Sequence, residues 1–311
     1  MNIIGIDSII FGVDNVDDCA NYLIDYGLRG GNLSEEGGVF SALDNTSIEI
    51  CHKDNPSLPP VLQSGNTFRK VVYGVDNQSS LDAIAEELRK DREVSIADGV
   101  VESTDDGGFN IAFQITTRKE IQLEKEKINS PGAAPERPAN ELGTHEGQKA
   151  LPRALSHLVL FVSDYKKAED FYVNRLNYKI TDTFAGVGSF LKSNANDDHH
   201  SLFFIQTPMS SMHGCEHFAF HLAGPSELML AGTRFKNKGY QSFWGPGKHI
   251  FGSNWFWYFN SPMGCHVEYD ADMDKHDDSW VPRESPIGAD MSQYFLFENV
   301  EKWMPGGDAK K

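Results

Sequence analysis

Three residues with metal-binding side chains, His157, His217 and Glu268, lie in separate segments that each predict a β-strand. The segments are LSHLVLFV, CEHFAFHL and CHVEYD, and each shows the apolar alternation of a half-buried strand. Three separated strands can bring these side chains together only if the sheet is curved. Two imidazoles and one carboxylate on one face of an octahedron leave the opposite positions open, as in non-haem Fe(II) oxygenases, which hold substrate and dioxygen there. The three residues therefore predict an iron site.

Each of these residues also has a purely structural interpretation. A single histidine on a strand is more often a hydrogen-bonded core or surface residue than a ligand. Glu268 follows a turn-forming Ser-Pro-Met-Gly sequence, and if its side chain faces inward, an unpaired carboxylate there would be costly. A metal ion is one partner that removes that cost. His221, four residues after His217 on the same strand face, is the second choice for the histidine ligand.

Composition and charge limit the class of protein. The chain has 311 residues, of which 40% are hydrophobic, so it is long enough for two globular domains. A net charge of −17 argues against nucleic-acid binding. No apolar run reaches the roughly 18 to 20 residues of a membrane span, and the N-terminus lacks the pattern of a signal peptide. We expect a cytoplasmic protein with no membrane contact, in which the four scattered cysteines are reduced thiols.

The chain is organised as a repeat. SIIFGVDNVDDCANYLIDYGL and HLVLFVSDYKKAEDFYVNRLNY share one plan, an apolar strand, an Asp-containing turn and an amphipathic helix, and further strands and a second helix follow in each half. The pattern predicts an α+β fold of two tandem modules of paired βαβββ units, each forming a curved, mostly antiparallel sheet around a central funnel. We expect an N-terminal module without metal at 1–122, a linker at 123–152, a metal-binding catalytic module at 153–270, and a tail at 271–311 that is a candidate lid.

Aligning the first strands of the two halves tests whether both carry ligands. The alignment pairs Ser8 with His157, Lys70 with His217, and Ala112 or a neighbour with Glu268. All three proposed ligands therefore belong to the C-terminal half, and the N-terminal half is predicted to have a structural role.

These segments resemble the type I extradiol ring-cleavage dioxygenases of the vicinal-oxygen-chelate superfamily, which includes glyoxalases and bleomycin resistance proteins. The resemblance covers nearly the whole chain and is most specific from His157 to Asp270. SHLVLFVSDYKKAEDFY, EHFAFHL and SPMGCHVEYD match the three places where that family has its iron ligands. The resemblance implies two tandem βαβββ modules with iron only in the C-terminal one.

The same resemblance implies three further site residues. DDHHSLFFI resembles the family's HHS segment, in which the second histidine is the acid–base residue, so it points to His200. GPGKHIFGSNWFWYFNSP resembles the stretch that supplies a histidine and a tyrosine to the substrate, here His249 and Tyr258. On the structural interpretation, His199 and His200 form an exposed turn, His249 caps a loop, and Tyr258 is a core residue.

The resemblance implies Fe(II), with Mn(II) as the alternative ion, a catecholic substrate and O₂. The expected reaction inserts both oxygen atoms beside the diol and gives a muconic semialdehyde. Lys248 stands where arginine is common in relatives, and the substrate cannot be read from the sequence. A glyoxalase-like metal isomerase or lyase and a non-catalytic small-molecule-binding protein of the same superfamily stay open as alternatives. Relatives are usually oligomers, so we expect a homo-oligomer.

Overall fold

The computed structural model describes residues 1–145 and 147–297. Its N-terminal half contains eight strands and two helices, in the order β1 (Ile3–Val13), α1 (Val16–Tyr26), β2 (Arg29–Ser34), β3 (Gly37–Ser41), β4 (Ser47–His52), β5 (Phe68–Val75), α2 (Gln78–Leu88), β6 (Ser95–Ala97), β7 (Val100–Thr104) and β8 (Asn110–Ile115).

The C-terminal half repeats this order and then adds a tail. Its elements are β9 (Ala154–Val162), α3 (Tyr165–Leu176), β10 (Lys179–Phe184), β11 (Gly188–Lys192), β12 (Leu202–Gln206), β13 (Gly214–His221), α4 (Pro225–Asn237), β14 (Ser242–His249), β15 (Trp255–Asn260), β16 (His266–Ala271), β17 (Arg283–Ser285), α5 (Ala289–Ser292) and β18 (Gln293–Leu296).

Each half forms one mixed, mostly antiparallel sheet. The strand order is β2-β3-β4-β1-β5-β8-β7-β6 in the first sheet and β17-β10-β11-β12-β9-β13-β16-β15-β14-β18 in the second. Each βαβββ unit pairs its first and last strands in parallel, and the first strands of two units pair antiparallel, as β1 does with β5 and β9 with β13. The predicted α+β fold of paired βαβββ units is confirmed.

A short polar side chain begins three of the four long helices. Asn15, Asn77 and Asp164 each accept a hydrogen bond from the backbone N–H three residues later, which satisfies one of the free donors of the first turn. α4 instead begins with Pro225, whose missing N–H is no loss at that position. The Asp- or Asn-containing turn after the first strand is thus a local signal that three of the four units share.

The strand register confirms the alignment of the two halves. In the second sheet Ala219 pairs with His157 on one side and with Glu268 on the other, and in the first sheet Val72 pairs with Ser8 and with Ala112. Val72 is therefore the counterpart of Ala219. Two residues earlier on the same strands, Lys70 is the counterpart of His217.

Both sheets also carry β-bulges at equivalent places. The register of β9 with β13 has one extra residue at Ser156 and one at Glu216. The register of β1 with β5 has extra residues at the counterparts of these two positions, Asp7 and Arg69. A bulge inserts one residue without a ladder partner and re-aims its side chain, so it can turn two successive side chains toward one face.

One apolar core runs through both halves, and α1 brings Tyr26 to the second sheet. The Tyr26 hydroxyl donates to the backbone carbonyl of Glu268 at 2.6 Å, and the Tyr269 hydroxyl donates to the backbone carbonyl of Tyr26 at 2.8 Å. The two tyrosine rings stack with their centroids 4.1 Å apart. The N-terminal half is thus in direct contact with the strand that carries Glu268.

The segment between the halves, residues 116–153, contains no helix or strand among its described residues. The tail adds two edge strands, because β17 pairs with β10 and β18 pairs with β14. The rest of the candidate lid, 298–311, lies outside the described residues. Within the described part of the chain no helix is long and apolar enough to cross a membrane.

Candidate metal centre and adjoining cavity

Three adjacent strands in the middle of the second sheet, β9, β13 and β16, carry His157, His217 and Glu268. His157 and Glu268 are the two ladder partners of Ala219, so their side chains lie on the same face on either side of it. His217 lies on that face because it is two residues from Ala219 on the same strand. Ala219 is fully buried, and its small side chain leaves room for the longer ones to meet above it.

The three side chains, called the ligand triad below, converge on one point. His157 Nε2 lies 2.9 Å from Glu268 Oε2 and 3.2 Å from His217 Nε2, and His217 Nε2 lies 3.4 Å from Glu268 Oε2. Glu268 is fully buried, and His157 and His217 are nearly so. The predicted convergence of these residues is therefore observed.

The other ring nitrogen of each histidine is held by the bulged residue next to it. His157 Nδ1 donates to Ser156 Oγ at 2.9 Å, and Ser156 in turn donates to Asp270 at 2.5 Å. His217 Nδ1 donates to the carboxylate of Glu216. Because a hydrogen bond at Nδ1 fixes the proton there, both Nε2 atoms are free to act as ligands.

Neighbouring charged groups shift the pKa values of His217 and Glu268 in opposite directions. Burial opposes charging of His217, but Glu216 outweighs it and raises the pKa of His217 to about 10. Burial likewise opposes ionisation of Glu268, yet His157 and His217 hold its pKa well below the usual range. A divalent ion competes with the proton on the imidazole, because histidine binds metal only as the neutral ring.

The donor set fits an ion of the iron or manganese type. Two imidazole nitrogens and one carboxylate are the donors that such ions accept. Glu268 Oε1 has no hydrogen-bond partner among the described residues, although it is buried, and His249 Nε2 is 3.7 Å away from it. An unpaired buried carboxylate oxygen is costly, and a cation at the triad removes the cost. Among the described residues this is the group of His, Cys, Asp and Glu side chains with metal-binding spacing.

A cavity of about 290 Å³ adjoins the ligand triad. It is lined by His200, His249 and Tyr258 as well as by both triad histidines. Most of its remaining wall is apolar, with large contributions from Phe184, Phe190, Phe203, Phe243, Trp244 and Phe251. The described residues that line it include no lysine or arginine.

His249 and Tyr258 form one hydrogen-bonded pair at the cavity. His249 Nδ1 donates to the backbone carbonyl of Ser292 at 3.1 Å, which leaves Nε2 to accept the Tyr258 hydroxyl at 3.1 Å. Burial, together with the charge of Glu268, raises the pKa of Tyr258 well above its usual value, so the phenol stays protonated. His249 is the last residue of β14 rather than part of a loop, and Ser292 of the tail helps to orient it.

His200 is buried at the cavity, with its ring centroid 4.3 Å from that of His157. The alternative of an exposed His199–His200 turn is wrong, because His199 has no exposed surface. His221 is not in the triad: its two nitrogens lie 3.2 Å from Asp270 and 3.5 Å from Asp198.

Several residues of the site have no signal in the sequence that would have identified them. Glu216 and Ser156 touch the triad histidines only because of the bulges, since neighbours on a regular strand point to opposite faces. Ala219 contributes by being small. Asn254 lines the cavity, is fully buried, and has no hydrogen-bond partner for its amide among the described residues. An asparagine preceded by Gly-Ser reads as an ordinary loop residue.

Comparison with known proteins agrees with this architecture. The sequence profile of the glyoxalase/bleomycin resistance protein/dioxygenase superfamily matches residues 154–269. Metapyrocatechase 2 of Cupriavidus necator is 36% identical over 127 residues, which are 41% of this chain and 39% of that protein. The match thus spans about two fifths of the relative's length.

Two solved structures share the fold over nearly the whole chain. The Mn(II)-bound glyoxalase from Novosphingobium aromaticivorans is 19% identical with a TM-score of 0.73, and the alignment covers 94% of this chain and 90% of that one. The 2,2',3-trihydroxybiphenyl 1,2-dioxygenase from Sphingomonas wittichii is 18% identical with a TM-score of 0.71, covering 95% and 99%. The profile match therefore covers the strands that carry the triad, and the two structures show that the same fold extends over nearly the whole chain.

Proposed function

We propose that this protein is an Fe(II)-dependent extradiol dioxygenase, which opens a catechol ring beside the diol and inserts both atoms of O₂ to give a muconic semialdehyde. The observation that carries the proposal is the ligand triad facing an apolar cavity that also presents His200, His249 and Tyr258. The likeness to metapyrocatechase 2 over the same region supports it. Iron is preferred to manganese because this donor set with open positions is that of the non-haem Fe(II) oxygenases.

His157, His217 and Glu268 would hold the ion, which would supply Lewis-acid activation of a catechol hydroxyl and bring the substrate together with dioxygen. His200 would accept a proton at its cavity-facing nitrogen and return it later, as a general acid–base residue does. The protonated Tyr258 hydroxyl would turn from His249 to donate to a substrate oxygen, which would leave His249 Nε2 to accept from a substrate hydroxyl. The aromatic walls would exclude water from the reacting atoms.

We further propose that the substrate is a catechol with an apolar, uncharged substituent. The cavity has no lysine or arginine among its described lining residues. Two basic side chains of this region already form ion pairs, since Lys248 lies 2.9 Å from Asp272 and Arg283 lies 2.5 Å from Asp182. A carboxylate buried here without a partner would be heavily penalised, whereas an alkyl or aryl group would gain from burial.

The test is anaerobic loading with Fe(II), followed by 3-methylcatechol, 2,3-dihydroxybiphenyl or 3,4-dihydroxybenzoate in oxygenated buffer. We expect a yellow product and one O₂ consumed per catechol for the first two, with both atoms of ¹⁸O₂ in the product. The carboxylated catechol should react with a much lower kcat/KM. Binding without oxygen consumption would favour the binding protein, and isomerase activity with no oxygen uptake would favour the glyoxalase-like alternative. Equal rates on all three catechols would refute the substrate class alone.

A further inference from the structure

We propose that Asp182 and His199 form a positioning dyad that holds His200 in one orientation and one tautomer, with its Nε2 presented to the cavity as a proton acceptor. The proposal rests on the proposed function, in which His200 moves the proton. It assigns a role to two residues that lie outside the cavity and that touch neither the triad nor the substrate space.

The three side chains form a buried chain of hydrogen bonds. Asp182 Oδ2 lies 2.8 Å from His199 Nε2, and His199 Nδ1 lies 2.9 Å from His200 Nδ1. Asp182 and His199 have no exposed surface, and His200 is 4% exposed. Geometry alone therefore fixes which nitrogen of each ring faces which partner.

The protons follow from what each group can donate. An ionised carboxylate only accepts hydrogen bonds, so His199 Nε2 must carry the proton that points at Asp182. Burial lowers the pKa of His199 in spite of Asp182, so the ring is neutral and its Nδ1 bears a lone pair. That lone pair accepts the Nδ1–H of His200. Neutral His200 then has its own lone pair on Nε2, which is the state that a general base requires.

A residue of the tail stabilises the Asp182 end of this series of hydrogen bonds. Arg283, on β17, donates from its backbone N–H and its Nε to Asp182 Oδ1, at 2.9 and 3.0 Å, and its Nη2 lies 2.5 Å from Oδ2. Burial opposes ionisation of Asp182, yet the hydrogen bonds from His199 and Arg283 keep its pKa below the usual value. Asp182 is thus held as a carboxylate, which is the form that sets the tautomers.

Asp182→Asn is the discriminating variant, because asparagine keeps the shape of the aspartate side chain but can donate a hydrogen bond where the carboxylate only accepts one. The asparagine amide can donate to His199 Nε2, which would place the His199 proton on Nδ1 and turn His200 into a donor at the cavity. We expect kcat to fall by between about 10-fold and 10³-fold, with KM and bound metal unchanged. Asp182→Glu should recover part of the loss. The control Asp278→Asn changes an exposed aspartate of the tail and should leave kcat unchanged.

A double-mutant cycle separates positioning from a merely structural role. If Asp182 acts through His200, Asp182→Asn should cost nothing further in kcat once His200→Phe is present. A full, additive loss in that background would overturn the proposal, and so would a loss of metal or folded protein from both Asp182→Asn and Asp182→Glu.

A measurement without turnover keeps this proposal distinct from the proposed function. In ¹⁵N spectra of the metal-free protein, His200, assigned by comparison with His200→Phe, should be protonated at Nδ1 and not at Nε2. Asp182→Asn should reverse this pattern. An Nε2-protonated His200 in the unmodified chain would overturn the dyad even if ring cleavage is observed, whereas the expected tautomer without any ring cleavage would overturn the proposed function alone.

Discussion

Replacing Ala219 by valine tests the geometry of the metal centre most directly. Ala219 lies between His157 and Glu268 in the ladder, and the Nε2 and Oε2 atoms of these two residues meet 2.9 Å apart on its face of the sheet. The N-terminal half shows the alternative, because Val72 occupies the equivalent position and packs in an apolar cluster with Ala112. The equivalent strand of the N-terminal half therefore accommodates valine at the position that corresponds to Ala219.

The size of the effect follows from the space that two methyl groups require. Valine is a good strand former, so the strand itself should be retained. Inserting methyl groups into a packed interior typically costs about 1–3 kcal/mol. Because the added groups point at the place where the ligands converge, we expect that cost to oppose metal binding. One tenfold change corresponds to about 1.4 kcal/mol, so metal affinity should fall by about 5- to 150-fold.

The assay is titration of Mn(II), or of Fe(II) under anaerobic conditions, against a chelator of known affinity, with thermal unfolding of the metal-free protein in parallel. Val72→Ala is the matched control, because it changes the equivalent position in the other half and should leave metal affinity unchanged. If Ala219→Val binds metal as tightly as the unmodified chain, the three ligands do not meet above Ala219 and the metal centre has a different geometry.

Three further predictions concern the ligands and their surroundings. Glu268→Gln should lose bound metal as well as activity, because it removes the charge that balances the ion; full iron occupancy by elemental analysis would exclude Glu268 as a ligand. The same analysis should give at most one ion per chain, because Lys70 pairs with Glu102 at 2.5 Å where the other half has His217; two tightly held ions would contradict this. His221→Ala should destabilise the chain by about 3–5 kcal/mol, since it removes the cationic partner of the buried Asp270 carboxylate. Burial opposes charging of His221, but Asp270 and Asp198 raise its pKa from 6.5 to about 10. In denaturant titrations the loss of unfolding free energy should therefore be largest below pH 6.5 and should decrease toward pH 10. A loss that is independent of pH would show that only packing is removed.

The fold and the ligand triad could be predicted from the sequence because both rest on simple periodicities. Alternating apolar residues identified the strands of the triad, and the repeated Asp-containing turn identified the two halves. The internal alignment placed Lys70 opposite His217, and the strand register agrees. The apolar pattern is weakest at one edge of the first sheet. β6 has only three residues, all exposed, and gives almost no apolar pattern.

The parts of the site that could not be predicted depend on irregular backbone and on long-range pairing. A bulge adds one residue to a ladder and leaves no fixed mark in the sequence, so the contacts of Ser156 and Glu216 were not foreseen. The bond between Asp182 and His199 joins residues 17 positions apart on different segments. His221 has two carboxylate partners, Asp270 and Asp198, which no pattern within its own strand reveals.

The contact of Tyr26 with the backbone of Glu268 bears on how a duplicated chain can evolve. The half without the triad supplies a hydrogen bond to the backbone carbonyl of Glu268. A substitution at Tyr26, in the half without the triad, can therefore disturb the strand that carries Glu268. Loss of the Tyr26 hydroxyl would leave that buried carbonyl without this donor, so variation in one half is constrained by chemistry in the other.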